Sequence, residues 1–143
     1  GCAYVLPLTE VEYENHYGMR RDDEVEKAAM FVAMEHELEQ GRQPEDVSAD
    51  NEGYDVRSTD ANGMKRYIEV KGRAADGDIM LSQNEKNRLS QLDNSAWLYI
   101  VTHCKSEPQL FKIQNPGNSL RFQELSKGVQ YLLKTDEWKS KVD

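Results

Sequence analysis

Asp55, followed 14 residues later by Glu69 and then Lys71, is the set of side chains in this sequence best suited to chemistry. Alternate residues of a β-strand share a face, so Glu69 and Lys71 point one way and Ile68 and Val70 the other. The apolar pair is expected to face a core. Asn62-Gly63 lies between Asp55 and this run and is a hairpin signal, because both residues tolerate the positive φ of a type I′ turn. A hairpin there returns the strand carrying Asp55 to the side of Glu69 and Lys71. Two carboxylates and one ammonium are thereby expected in one patch. Such a pair of hard oxygen donors suits Mg²⁺ (or Mn²⁺), which keeps several waters and contacts substrate phosphate. A metal held there polarises a phosphoryl oxygen and lowers the pKa of bound water. Lys71 is expected to orient or deprotonate the attacking water and to offset charge in the transition state. The competing reading is a surface Glu-x-Lys ion pair, worth about 0–1 kcal/mol. Against it stand the apolar flanks, a second acid on the paired strand, and Gly53 and Gly72 at the margins.

The elements that must position these residues follow from periodicity. Asp22 and Asp23 suit a helix N-terminus. Val25, Ala28, Ala29 and Val32 then share one helical face, with Met30, Ala33 and Met34 beside it, as far as about Gln40. Gly41 and Pro44 end that helix. Residues 42–53 read as polar and turn-rich, 54–58 and 66–71 as the two hairpin strands, and 72–78 as a loop. Ser82-Gln83-Asn84-Glu85 matches a capping box that opens a helix to about Leu92. Residues 96–101 form a dense apolar strand, expected to be central and buried on both faces. A short strand follows over 110–113, then a turn at Asn115-Pro116-Gly117. Leu125, Val129, Leu132 and Leu133 predict a closing amphipathic helix over 122–134. The expected organisation is an irregular lead-in (1–21), one domain (22–135) and a frayed C-terminal tail (136–143). Its class is α/β, a mixed central sheet flanked by helices.

Composition narrows the partners. The chain has 143 residues and a net charge of −8. Residues 1–55 carry 15 acids against 4 bases, whereas residues 56–143 carry 11 against 14. Phosphate neutralisation dominates unspecific nucleic-acid affinity, so a domain of this charge is not expected to grip nucleic acid by bulk electrostatics. Any polyanion is expected to approach through the second half. No apolar run approaches the roughly 20 residues that span a bilayer, so no membrane role is expected. Cys2 and Cys104 form no zinc spacing and read as two reduced thiols. The start at Gly1-Cys2 suggests a segment of a longer parent protein.

Several short blocks resemble a known family. They are Ala33-Met34 with Glu37, Gly41-Arg42 with Pro44-Glu45-Asp46-Val47-Ser48, Gly53-Tyr54-Asp55, Arg66-Tyr67-Ile68-Glu69-Val70-Lys71-Gly72-Arg73, Leu81-Ser82 with Asn84-Glu85, and Trp97-Leu98-Tyr99-Ile100-Val101. Together they resemble the domain named after the C-terminal part of the plant protein NO VEIN. More broadly they resemble the PD-(D/E)XK nucleases, whose core carries one acid on its second strand and (D/E)-x-K on its third. The resemblance implies a restriction-endonuclease-like fold and a Mg²⁺-dependent phosphodiesterase site at Asp55, Glu69 and Lys71, with Asp55 and Glu69 on the metal. It also implies partners: nucleic acid, DNA first, and helicase or defence domains of a longer parent, in the cytoplasm of a prokaryote or the nucleus of a eukaryote.

The resemblance makes Glu37 a candidate fourth site residue, from the helix preceding the core strands. Its place beside Met30, Ala33 and Met34 predicts at least half-burial, and a buried acid needs a partner. Arg73, Asn84, Lys86 and Arg88 are candidates for contact with substrate phosphates, the last three because helix N-termini favour anions. Glu85 carries two readings, and the capping box is sufficient for its presence. Two functions from different classes fit: a metal-dependent nuclease module, or a nuclease-fold module that binds DNA or a protein without hydrolysis.

Overall fold

The computed structural model describes residues 22–125 and 128–143, so the expected lead-in over 1–21 lies outside the described residues. Helix α1, Asp23–Glu39, opens as its sequence requires: the Asp22 side chain accepts from the backbone N–H of Glu24 and Val25. Two elements follow in the segment expected to be polar and turn-rich, a strand and a 3-10 turn over Ser48–Asp50. Strand β1 (Gln43–Asp46) is an edge strand that tolerates Pro44 because the outer side of an edge needs no donor. Beyond it, β2 (Val56–Thr59) and β3 (Lys65–Gly72) form the expected hairpin, with Val56 opposite Ile68 and Thr59 opposite Lys65.

The turn is not type I′, since Gly63 has a positive φ and Asn62 does not. The Asp60 carboxylate instead accepts from the N–H of Asn62 and Met64, and Gly63 N–H donates to Asp60 O. This is the three-residue hairpin loop with glycine in the left-handed position. The side chain of Asp60 decided it.

Strand β4 (Ile79–Ser82) leads into α2 (Gln83–Leu92), where both halves of the capping box are present. Strand β5 (Ala96–Thr102) is buried along its whole length, and β6 (Gln109–Gln114) returns beside it. The main sheet has the order β1-β2-β3-β5-β6 and is mixed, because β3 and β5 run parallel and the other pairs antiparallel. The parallel pair requires a crossover, and α2 supplies it.

The closing helix expected over 122–134 does not form. A short helix α3 (Pro116–Ser119) is followed by β7 (Gln123–Leu125) and β8 (Gln130–Leu133), which pair with β4 in a second sheet of order β4-β8-β7. Helical spacing was misleading because Val129 is exposed and Gly128 takes a φ of +87° that no helix uses. Ile79, Met80 and Leu81 are all buried in β4, so that strand needs a hydrogen-bonded neighbour.

The frayed tail is corrected too. Helix α4 (Thr135–Lys139) buries Trp138 completely, and the indole N–H donates to Gly77 O at 3.0 Å. Thr135 anchors the segment through N–H and hydroxyl bonds to Asp78 Oδ1 at 2.8 and 2.9 Å. The hydrophobic term won, as an indole left in water is costly.

The layers follow from alternation along β5. Trp97 and Tyr99 meet α1 through Ala33, Met30 and Met34, with Val56 and Ile68 from the hairpin. Leu98 and Ile100 meet Leu89 of α2, together with Ile79, Leu81, Leu133 and Trp138. The main sheet therefore separates two faces. Its α2 face carries Glu69 and Lys71.

Candidate functional site

Ile68 is fully buried against α1, and the next residue, Glu69, points to the other face with its side chain only 3% exposed. Lys71 Nζ lies 3.4 Å from Glu69 Oε2 and 3.0 Å from Glu85 Oε1. Asp55 continues the β2 side of the hairpin: its N–H donates to Ile68 O, and its Oδ2 accepts from Val70 N–H at 2.9 Å. Asp55 and Glu85 both add negative charge around the Glu69 carboxyl. The structure therefore unites the expected Asp55, Glu69 and Lys71 and adds Glu85. Two carboxylates lie within ion-pair distance of the ammonium, and Asp55 adds to the negative field around it.

The electrostatics follow from that arrangement. Burial and the neighbouring Glu85 and Asp55 push the Glu69 carboxyl well above the usual carboxylate range, against the pull of Lys71. Burial also raises Asp55, although the Val70 N–H opposes it. Glu85 is held low, because Lys71 and the hydrogen bonds to its carboxylate outweigh desolvation. Burial would lower Lys71, but Glu69 and Glu85 win and raise it. Lys71 is thus a firm cation here. Its two carboxylate neighbours, Glu69 and Glu85, hold it in that form.

A stability consequence can be checked directly. The folded pKa of Glu69 exceeds the unfolded value of about 4.3, so its contribution falls as pH rises from that value toward the folded pKa. Glu69→Gln is neutral at every pH. The variant is expected to be more stable than the native chain at pH 8, where burial strains the ionised Glu69. The gap should close near pH 4, as thermal unfolding across that range will show. A native chain as stable as the variant at pH 8 would remove the case for strain at this carboxyl.

The remaining expected site residues are placed elsewhere. Glu37 is fully buried, but on the α1 face. It accepts from Arg42 Nε at 2.6 Å, Arg42 Nη2 at 2.8 Å and the Tyr99 hydroxyl at 2.6 Å. The sheet separates it from the cluster, so the expectation that it joins Asp55 and Glu69 is corrected. Its partner is Arg42. Arg73 is buried as well; its Nη1 donates to Asp78 O at 2.9 Å, and the guanidinium lies against Gly77, where a Cβ would stand 2.6 Å away. It holds the 73–78 loop.

Asn84 is exposed in the first turn of α2. Lys86 lies over the rings of Phe122 and Tyr131, at 5.2 and 4.8 Å, a cation–π arrangement. Arg88 packs its stem on Gly53, where an added Cβ would stand 2.7 Å from Arg88 Cβ, and its tip is 3.9 Å from Glu52. Gly53 therefore lets the segment before Asp55 lie close on α2.

Among the described residues, no three His, Cys, Asp or Glu side chains are grouped to hold a metal ion by themselves. The donor set nevertheless fits Mg²⁺, which takes one or two carboxylates and completes its shell with water and phosphate. Asp55 and Glu69, whose carboxyls burial raises, are the hard oxygen donors that such a cation would take.

The sheet and this cluster define an α/β domain with carboxylates and a lysine gathered on one face of a mixed sheet. Over residues 25–113 the chain matches the family described as Protein NO VEIN, C-terminal, and it belongs to that family. No match was found among the curated proteins or the solved structures. Among the described residues no helix is long and apolar enough to cross a membrane.

Proposed function

We propose that this chain is a metal-dependent nuclease module of the PD-(D/E)XK type, hydrolysing phosphodiester bonds of DNA within a larger DNA-processing or defence protein. The observation that carries the reading is the juxtaposition of half-buried Asp55 and Lys71 with buried Glu69 at the open end of the hairpin, where β3 runs beside β5. Asp55 and Glu69 hold Mg²⁺ or Mn²⁺. When bound, the metal supplies Lewis-acid polarisation and a more acidic water. Lys71 donates to the attacking water or to a non-bridging phosphate oxygen and offsets the charge that accumulates there. Asn84 stands at the N-terminus of α2, where backbone N–H groups favour an anion.

The net charge of −8 suits a module whose substrate is delivered by a partner domain, with the compartment of that partner, cytoplasmic or nuclear. A second reading is a nuclease-fold module that binds DNA or protein without hydrolysis; among the described residues only two carboxylates, Asp55 and Glu69, are offered to a metal, with no group of three donors.

Calorimetric titration with Mn²⁺ is the first test. The native chain is expected to bind, and an Asp55→Ala/Glu69→Ala chain to lose that binding by at least about 100-fold, as removal of both ligands implies. Equal titration curves would dispose of the site. Mn²⁺ binding by the full-length protein without cleavage of linear, single-stranded, branched or methylated DNA, or of RNA, would favour the second reading.

A further inference from the structure

Lys71 is shared between Glu69 and Glu85, and the sharing is uneven: Nζ is 3.4 Å from Glu69 but 3.0 Å from Glu85. Glu85 is fixed before Lys71 arrives. Its Oε1 accepts from Ser82 N–H at 2.8 Å while its own N–H donates to Ser82 Oγ at 3.1 Å, so the capping box holds the carboxylate at the first turn of α2. That same Oε1 accepts from Lys71 Nζ. The helix cap is therefore also an anchor for the ammonium.

We propose that Glu85 is a positioning residue that draws the Lys71 ammonium away from Glu69 and so leaves Glu69 available to a divalent cation. The inference rests on the metal-site reading above. An ammonium and a metal ion compete for the same carboxylate oxygens, because both are cations and neither tolerates the other at contact distance. With three carboxylates and one lysine in the cluster, an anion fixed by the helix cap and 3.0 Å from Nζ decides which oxygens stay open. Without that anion, Lys71 collapses onto Glu69.

Capping and positioning separate cleanly. Gln serves a capping box as well as Glu does, and its amide oxygen accepts from both Ser82 N–H and Lys71. Glu85→Gln therefore keeps the helix start and removes only the charge. Calorimetry with Mn²⁺ should show binding weakened by about tenfold or more, the range for partners that orient a metal ligand. Thermal unfolding should stay close to native, whereas Glu85→Ala lowers the melting temperature.

The decisive step is the double variant. In a Lys71→Met background, Glu85→Gln should change Mn²⁺ affinity by less than about twofold, because the group through which it acts is gone. An equal loss in both backgrounds would mean that Glu85 acts on the ion by its charge alone and would overturn the proposal. Native affinity in Glu85→Gln would overturn it as well, leaving only the cap. Absence of Mn²⁺ binding by the native chain would remove the metal site and this inference with it, a result distinct from the other two.

Discussion

Lys71→Met is expected to reduce phosphodiester hydrolysis by about two to three orders of magnitude, the usual loss when one preorganised donor to a developing charge is removed. The same variant should bind Mn²⁺ more tightly than the native chain. The two effects have one cause. Lys71 Nζ lies within ion-pair distance of Glu69 and Glu85, so on the nuclease reading proposed above its removal takes away both the charge that steadies the transition state and the cation that competes for the carboxylates. Met keeps the length and apolar stem, which limits the change to the ammonium. Release of labelled fragments by the full-length protein, read beside a Mn²⁺ titration, checks both halves. Undiminished cleavage would take Lys71 out of the chemistry. Weaker metal binding would show that the ammonium supports the metal instead of opposing it.

Arg42→Ala should be among the most destabilising single changes in the chain, by about 3–5 kcal/mol, while leaving Mn²⁺ affinity at the native value in the folded protein. Glu37 has no exposed surface and lies on the α1 face, away from Asp55 and Glu69. Burial alone would raise its carboxyl, but the Arg42 guanidinium and the Tyr99 hydroxyl hold it below the ordinary value. Removing Arg42 strands a buried carboxylate with Tyr99 as its main donor.

The pH dependence has a definite sign. A depressed carboxyl adds stability above its unfolded pKa, about 4.3, and that contribution disappears as pH falls through the lower folded value. The native chain should therefore lose this stabilisation below about pH 4, and Arg42→Ala should lack it already at pH 7. Urea unfolding at both pH values measures it. A mild effect of Arg42→Ala, or a loss of metal binding without loss of stability, would return Glu37 to the site.

The two carboxyls answer acid in opposite ways. Glu69 is strained when ionised and gains from a falling pH, whereas Glu37 is satisfied when ionised and loses from it. Opposite slopes distinguish a carboxyl whose charge still wants a cation from one that already has it. The sequence-level expectation that Glu37 shares the site failed on this point. Burial was anticipated correctly, and so was the need for a partner. The partner lay five residues away in Arg42 rather than across the sheet.

What the sequence determined by itself was local. Asp22 as a cap, the Ser82–Glu85 box, the hairpin joining β2 to β3, and the alternation that puts Glu69 and Lys71 on one face all follow from near neighbours. So does the burial of β5, whose residues are apolar on both faces up to Val101. Tertiary structure decided the rest. Gln130–Leu133 became a strand because β4 needed a partner, and Trp138 left the expected tail because the α2-side core had room for an indole. Glu37 and Glu69 were sent to opposite faces by the sheet between them. Lys71 met Glu85 only because α2 crosses over the parallel pair β3 and β5. Local spacing fixes where a side chain points; only packing fixes what it meets.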